Sequence, residues 1–184
     1  MITDELKTEI ANKIKDITVA DLEEDMEKLI QIGKDAYTMS SRSRIGNNVV
    51  DYFTFRQRLE TKGKYDISFF GFIQNIEEFK QKKFIQTMLT YYKDVKNKNN
   101  TKNEYIVLKE VYNICISAIN IMRPLNCMEI YTKYKAKRVL NFCAGWGGST
   151  VAAAALNLDA YYGVEINSDL STSLNPLIKI VAFL

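Results

Sequence analysis

The chain has 184 residues, of which 47% are hydrophobic, and its formal net charge is +3. This length fits one domain, or a small domain beside part of another, and the charge is too low to indicate nucleic-acid binding by itself. No apolar run approaches the roughly 18 residues that a membrane-spanning helix needs, and the N-terminus carries no apolar leader. We therefore expect a soluble, intracellular protein with no membrane partner.

Three cysteines and the absence of histidine restrict the chemistry that the chain can carry. Cys115, Cys127 and Cys143 are widely spaced and form no C-x-x-C pair, so we expect free, mostly buried thiols and no metal site. Without histidine, Ser/His and Cys/His nucleophile schemes are excluded. Any reaction must depend on carboxylates, backbone dipoles or a bound cofactor.

Residues 1–98 are predicted to form a mostly α-helical region. Apolar residues recur at helical spacing within residues 6–30, and Gly33 stands where a C-terminal helix cap is expected. A polar loop is predicted over residues 40–48, and one long amphipathic helix over residues 76–95.

Cations and aromatic residues alternate within residues 42–65. They are Arg42, Arg44, Arg56, Arg58, Lys62 and Lys64, with Tyr52, Phe53, Phe55 and Tyr65. This mixture fits a nucleic-acid face, with cations on phosphates and aromatic rings on bases. The interspersed acids Asp51, Glu60 and Asp66 favour the other interpretation, a helical domain with solvated charges over an aromatic core.

A polar segment, residues 93–104, marks the predicted boundary before a second region over residues 104–184. Within this region a first helix is predicted to end at Pro124, because proline disfavours helical backbone at the residue before it. A short helix over residues 125–134 then leads into a strand.

The stretch from Arg138 to Asn167 predicts a small α/β element after the helical region. Residues 138–142 and 161–165 are short apolar runs typical of buried parallel strands, and an alanine-rich helix is predicted between them over residues 149–156. Together they form a βαβ unit, whose first turn lies at the carboxyl edge of the sheet, where open α/β sheets bind ligands. The predicted fold class is therefore α/β.

The turn after the first strand carries Gly145, Gly147 and Gly148, which allow the backbone to turn sharply and approach a ligand. Glu165 ends the second strand 20 residues after Gly145, the spacing at which dinucleotide folds place a ribose-binding acid. The dinucleotide pattern needs a small residue where Thr150 stands. The pattern A-G-x-G-G suits instead a cofactor with an adenosine and an amino-acid tail, and both cofactor classes remain open.

The segments VLNFCAGWGGS and GVEIN resemble motif I and the acidic loop of S-adenosylmethionine-dependent methyltransferases. Residues 45–167 as a whole resemble the DNA methyltransferase-like proteins of large DNA viruses. The resemblance implies a partial Rossmann-like domain that binds S-adenosylmethionine, and methylation of a DNA or RNA base by the complete family member. For a viral protein it also implies the cytoplasm of the host cell.

The resemblance further implies a set of cofactor-binding residues, which are Asn141, Phe142, Ala144, Gly145, Trp146, Gly147 and Glu165. Glu165 would bind the ribose. The family usually has an acid where Asn141 stands, and that acid orients the amino-acid end of the cofactor. Asparagine keeps the acceptor and loses the charge. Trp146 either packs against a ligand or covers the sheet edge.

No catalytic residue can be identified from the sequence. Amino-methylating relatives carry a [D/N/S]-P-P-[Y/F/W] motif and cytosine-C5 enzymes a Pro-Cys pair, but the two prolines, Pro124 and Pro176, are each followed by leucine. Asn175-Pro176 is interpreted as a helix start or loop. The apolar end LIKIVAFL, Leu177–Leu184, predicts a fold truncated after its second strand.

Three functional hypotheses remain. In the first, the chain is the cofactor half of a methyltransferase, has little activity alone and pairs with a second chain that completes the fold. In the second, it is a non-catalytic remnant that binds nucleic acid or protein. In the third, it is an NAD-binding Rossmann protein.

Overall fold

A computed structural model of the protein describes residues 2–181, apart from the side chains at 169, 173 and 178–181. The fold is mixed α/β, as predicted, with helices predominating. The helices are α1 (Asp4–Ile14), α2 (Val19–Ile32), α3 (Asn47–Glu60), α4 (Phe69–Gln74), α5 (Ile76–Lys80), α6 (Lys83–Tyr91), α7 (Glu104–Cys115), α8 (Pro124–Lys133), α9 (Gly148–Ala155) and α10 (Ser168–Val181). The strands are β1 (Arg138–Asn141) and β2 (Ala160–Gly163).

The described chain divides into two compact units, each built from two separated segments. The first unit comprises residues 2–16 and Arg56–Asn120, and the second comprises Ile17–Phe55 and residues 121–181. The sequence predicts two regions that are each continuous in the chain and that meet near residues 98–104. In the structure, each unit instead combines an early segment of the chain with a later one.

The first unit has an aromatic core around Tyr112. The rings of Phe69 and Phe72 each lie 5.6 Å from the Tyr112 ring, measured between centroids. The Tyr112 hydroxyl donates a hydrogen bond of 2.9 Å to the Ile67 carbonyl oxygen, so the polar end of this buried side chain is satisfied.

The prediction of one long helix over residues 76–95 is wrong, because Lys82 has an extended backbone (ψ 114°) between α5 and α6, and a short π-helical turn over Tyr92–Lys96 follows α6. A separate break precedes this segment. Asn75 separates α4 from α5, and its side-chain amide donates to the Gly71 carbonyl oxygen. Such local side-chain bonds compete with helical backbone bonds. The bend brings Phe72 and Phe79 together, with ring centroids 5.2 Å apart.

In the second unit, α2 has a defined start and end. Thr18 and Asp21 form a reciprocal capping box at its N-terminus, and Gly33 caps its C-terminus with φ +46°, which confirms the predicted cap. The buried carboxylate of Asp25 accepts backbone N–H bonds from Gly46 at 3.1 Å and Asn48 at 3.0 Å. These bonds fix the chain where it enters α3.

Strands β1 and β2 are parallel, and α9 connects them. Arg138 pairs with Ala160 and Asn141 with Gly163. Backbone pairing continues past the strand ends, because Ala144 donates to the Val164 carbonyl oxygen at 2.9 Å. The core of the unit is formed by α2, α3, α8, α9 and α10, with buried residues that include Leu29, Val49, Met128, Val151, Leu174 and Leu177.

One face of the two-stranded sheet is largely exposed in the described part of the chain, and we call it the bare face. Asn141 and Tyr161 face α9 and bond to it, whereas Leu140 and Tyr162, which are paired across the strands, are 57% and 54% exposed. Phe142 continues this face and is 77% exposed. Parallel sheets normally have both faces covered, so this apolar face is unusual for its strand type.

Helix α10 contains Pro176, so the prediction that Asn175-Pro176 marks a loop or helix start is wrong. Buried Leu170, Leu174 and Leu177 lie at helical spacing on both sides of the proline and hold the helix through it. The predicted apolar end, Leu177–Leu184, is described as far as residue 181, and residues 182–184 lie outside the described residues. Across residues 2–181, no helix is both long and apolar enough to cross a membrane.

Candidate functional site

The glycine turn between β1 and α9 contains two left-handed residues. Gly145 has φ +56° and Gly147, the N-cap of α9, has φ +88°. Residues with a Cβ rarely adopt this conformation, which accounts for glycine at both positions. Around Gly145 an added Cβ would meet only the Cys143 carbonyl oxygen, at 3.9 Å, so the turn is open on that side.

Glu165 is bound to this turn, and the structure thus brings together the two features that the sequence analysis singled out. Its Oε2 accepts the Gly145 N–H at 2.9 Å, and its Oε1 accepts the Asn167 N–H at 2.9 Å. A carboxylate oxygen has more than one acceptor direction, so both oxygens retain capacity for a ligand hydroxyl.

A cleft of about 760 Å³ lies beside the turn, and both Ala144 and Glu165 line it. Its apolar wall includes Met26, Ala153, Ala154 and Leu174. Its polar lining includes Thr150, Asn157, Tyr161, Ser171 and Asn175. A mostly apolar cavity of this size with a few polar groups is typical of small-molecule sites, which span about 300–1,000 Å³.

Asn141 is held in a hydrogen-bond network behind the turn. Its amide nitrogen donates to Ser149 Oγ at 2.8 Å and to Tyr161 Oη at 3.1 Å, and its Oδ1 accepts the Cys143 N–H at 3.0 Å. Ser149 Oγ and Tyr161 Oη are themselves 2.7 Å apart. Both amide hydrogens are thus used inside the chain. An aspartate at this position would instead accept both hydroxyl hydrogens, and neither would then remain for the bond between Ser149 and Tyr161.

The same network leaves one hydroxyl hydrogen available for a further hydrogen bond. Ser149 and Tyr161 each carry one hydroxyl hydrogen, and a single hydrogen satisfies the bond between them. The other hydroxyl hydrogen can therefore be donated elsewhere. Because Tyr161 lines the cleft, its hydroxyl is a candidate ligand donor that the sequence analysis did not identify.

Gly147 and Gly148 are packed against the chain itself. A Cβ on Gly147 would lie 2.8 Å from a methyl carbon of Leu174, and one on Gly148 would lie 1.8 Å from the carbonyl oxygen of Met122. The third glycine of A-G-x-G-G is therefore needed for close packing, whatever the turn binds.

Of the seven implied cofactor-binding residues, Ala144 and Glu165 are the two in the described lining of the cleft. The other five include Phe142 and Trp146, whose side chains are placed elsewhere. Phe142 belongs to the bare sheet face. Trp146 is partly buried and packs against the apolar core of the second unit, which makes its indole a reporter of that unit's folding.

The three cysteines are free thiols, as predicted, but the prediction that they are mostly buried is wrong, because only Cys127 of the three is buried. Cys143, in the glycine turn, is exposed, whereas burial raises the pKa of Cys127 to about 11 and raises that of Cys115. Because the thiolate is the reactive form, we expect a maleimide at pH 7.5 to modify Cys143 at least tenfold faster than Cys127. Peptide mass mapping measures both rates, and faster labelling of Cys127 would contradict the described burial.

The basic and aromatic segment over residues 42–65 is partly neutralised. Arg56 pairs with Asp4 at 2.9 Å, and Lys62 pairs with Asp66 at 2.9 Å. Arg42 and Arg44 are exposed and belong to the second unit, whereas Arg56 belongs to the first. The candidate nucleic-acid residues of this segment are thus divided between two units.

No protein-family model, curated protein or solved structure matches this chain. Among the described residues, no group of three or more His, Cys, Asp or Glu side chains is arranged to hold a metal ion. The site is therefore interpreted from its own chemistry, which consists of a carboxylate on an open glycine turn beside a cleft.

Proposed function

We propose that β1, α9 and β2 are the cofactor-binding part of a Rossmann-like domain, and that the cofactor carries an adenosine. The observation that supports this most directly is the Glu165 carboxylate, which is hydrogen-bonded to Gly145 and lines the cleft. A carboxylate so fixed at the end of a parallel strand suits the two hydroxyls of a ribose. Within that class, the motif resemblance favours S-adenosylmethionine and a methyltransferase of nucleic-acid bases.

The residues present fit such a cofactor. Glu165 would bind the ribose hydroxyls, Ala144 and Gly145 would allow close approach, and the Tyr161 hydroxyl would donate to a polar group. The cofactor would supply an electrophilic methyl group, and the chain would position it and exclude water. The reacting base would have to be held by groups outside this unit.

A dinucleotide is the less favoured cofactor. Its glycine pattern requires a small residue at position 150, where Thr150 is buried and lines the cleft. Gly148, the third glycine, packs closely against the Met122 carbonyl oxygen. It therefore leaves no additional space for a pyrophosphate. NAD therefore serves as the competing ligand in the test below.

Calorimetric titration of the purified chain with S-adenosylmethionine tests the proposal. We expect saturable binding that Glu165→Gln weakens at least tenfold, because hydrogen bonds to a charged group contribute about 1.5–3 kcal/mol. Asp159→Asn is the matched control, since it removes one negative charge just before β2 and leaves the turn unchanged. Tight binding of NAD, or no binding by a folded chain, would overturn the proposal.

A second chain that completes the domain is part of this proposal. The bare apolar face of Leu140, Phe142 and Tyr162 supports it, because exposed contiguous apolar patches mark interaction sites. The competing proposal is a non-catalytic binding protein. If no cofactor binds, the same exposed face favours this proposal. Co-purification with a chain that restores methylation of a nucleic acid would distinguish the two.

A further inference from the structure

A dense group of cations lies at the amino-terminal end of β1, opposite the end that carries the glycine turn. The segment Lys133–Arg138 reads KYKAKR, and its four cations are all exposed. Lys34 joins them, because Lys34, Lys135 and Lys137 line one cavity of about 480 Å³. We call these five residues the β1 basic cluster.

Few acidic side chains neutralise the positive charges of the β1 basic cluster. Within the described part of the second unit, none of its five cations takes part in a salt bridge, whereas Arg56, Lys62 and Lys102 of the first unit are all paired. Among the described lining residues of the same cavity, Asp159 is the one acid. The cluster therefore has a net positive charge.

Helix dipoles do not cancel this charge. Lys135 and Asn157 have left-handed φ values of +51° and +49°, and each follows the C-terminus of a helix, α8 and α9 respectively. A helix C-terminus corresponds to about half a negative elementary charge, so the two together offset about one of the five cations. Most of the charge remains available to an anionic partner.

Exposed aromatic rings accompany the cations. Tyr134 is 73% exposed, and Tyr162 is 54% exposed with the guanidinium of Arg138 5.9 Å from its ring centroid. Cations that follow a backbone, combined with rings on which bases stack, are the arrangement used for single-stranded nucleic acids. An acidic protein would use the charges but would not need exposed tyrosines.

We propose that the β1 basic cluster binds the phosphate backbone of a single-stranded nucleic acid, with a base stacked on Tyr134. This inference rests on the nucleic-acid part of the proposed function and is independent of its cofactor part. The cluster is also distinct from the arginines of residues 42–58. The nucleic-acid strand would bind at the end of β1 opposite to the glycine turn.

Fluorescence anisotropy of a labelled 20-nucleotide single strand, measured from 50 to 300 mM NaCl, tests the proposal. We expect Lys133→Gln/Lys135→Asn/Lys137→Gln to lower affinity at least tenfold and to reduce the salt slope by about 2, since each phosphate contact in a single strand contributes about 0.7. Asparagine is chosen at 135 because it tolerates the left-handed backbone. Tyr134→Ala is expected to lower affinity about tenfold without changing the slope.

The matched control is Lys93→Gln/Lys96→Gln/Lys98→Gln, which removes three positive charges from another six-residue segment. Binding of the control should equal that of the unsubstituted chain, and circular dichroism verifies that all variants are folded. Absence of binding, equal loss in the control, or tighter binding of a duplex would overturn the proposal. Equal competition by poly-glutamate would assign the surface to an acidic protein. Titration with S-adenosylmethionine in parallel tests the cofactor proposal separately, so a negative result for nucleic-acid binding is distinguished from a negative result for cofactor binding.

Discussion

Gly148→Ala is expected to lower the free energy of unfolding of the second unit by about 3 kcal/mol or more. Gly148 begins α9 and has an ordinary helical backbone, so alanine there would normally stabilise by about 0.5–1 kcal/mol. The new Cβ would lie 1.8 Å from the Met122 carbonyl oxygen, however, and a backbone group must then move. Forced repacking of this kind costs about 1–3 kcal/mol and sometimes more.

Urea unfolding followed by Trp146 fluorescence measures this effect, because Trp146 is the single tryptophan and packs in the second unit. Gly145→Ala is the control in the same turn. It meets no close neighbour, and its positive φ alone costs about 1–2 kcal/mol. A Gly148→Ala chain as stable as the unsubstituted one would show that Met122 does not approach the turn.

Lys109→Met is expected to stabilise the first unit by about 2 kcal/mol or more at pH 7. Lys109 is half-buried beside Phe69 and Tyr112 and donates a hydrogen bond to Asn113. Burial, with a smaller contribution from the positive charge of Arg58, lowers its pKa to about 8. The free energy cost of charging it in the folded state is complete below pH 8 and disappears as the pH rises toward 10.5, where the unfolded chain also loses its proton.

The folded-state stability of the unsubstituted chain should therefore rise by about 2 kcal/mol between pH 7 and 9.5, at 1.36 kcal/mol per pKa unit. Urea unfolding followed by far-ultraviolet circular dichroism at several pH values measures the rise. Lys109→Met should abolish it, and Lys28→Met, which changes an exposed lysine of the second unit, should retain it. A flat pH profile for the unsubstituted chain would contradict the lowered pKa of Lys109.

The parts of the structure that depend on local sequence could be predicted. Gly33 ends α2, and the β1–α9–β2 order follows from short apolar runs around an alanine-rich segment. Glu165 could be placed near the turn because parallel strands end at a common edge. In each case the determining residues are neighbours in sequence or share one supersecondary unit.

The parts that depend on distant contacts could not be predicted. The close approach of Met122 to Gly148 cannot be seen in the pattern A-G-x-G-G, which predicts instead that the third glycine serves a cofactor. The Asn141–Tyr161 bond requires the strand register. The break at Lys82, where the backbone becomes extended between α5 and α6, interrupts an otherwise continuous amphipathic pattern.

The bare face of β1 and β2 has a consequence for the behaviour of the protein at high concentration. Two parallel strands with apolar side chains on one face, and with an unpaired outer edge on each strand within the described chain, are a template for the addition of further strands. An exposed face of this kind lowers the concentration at which the folded chain stays dispersed, so expression at a high level favours aggregation.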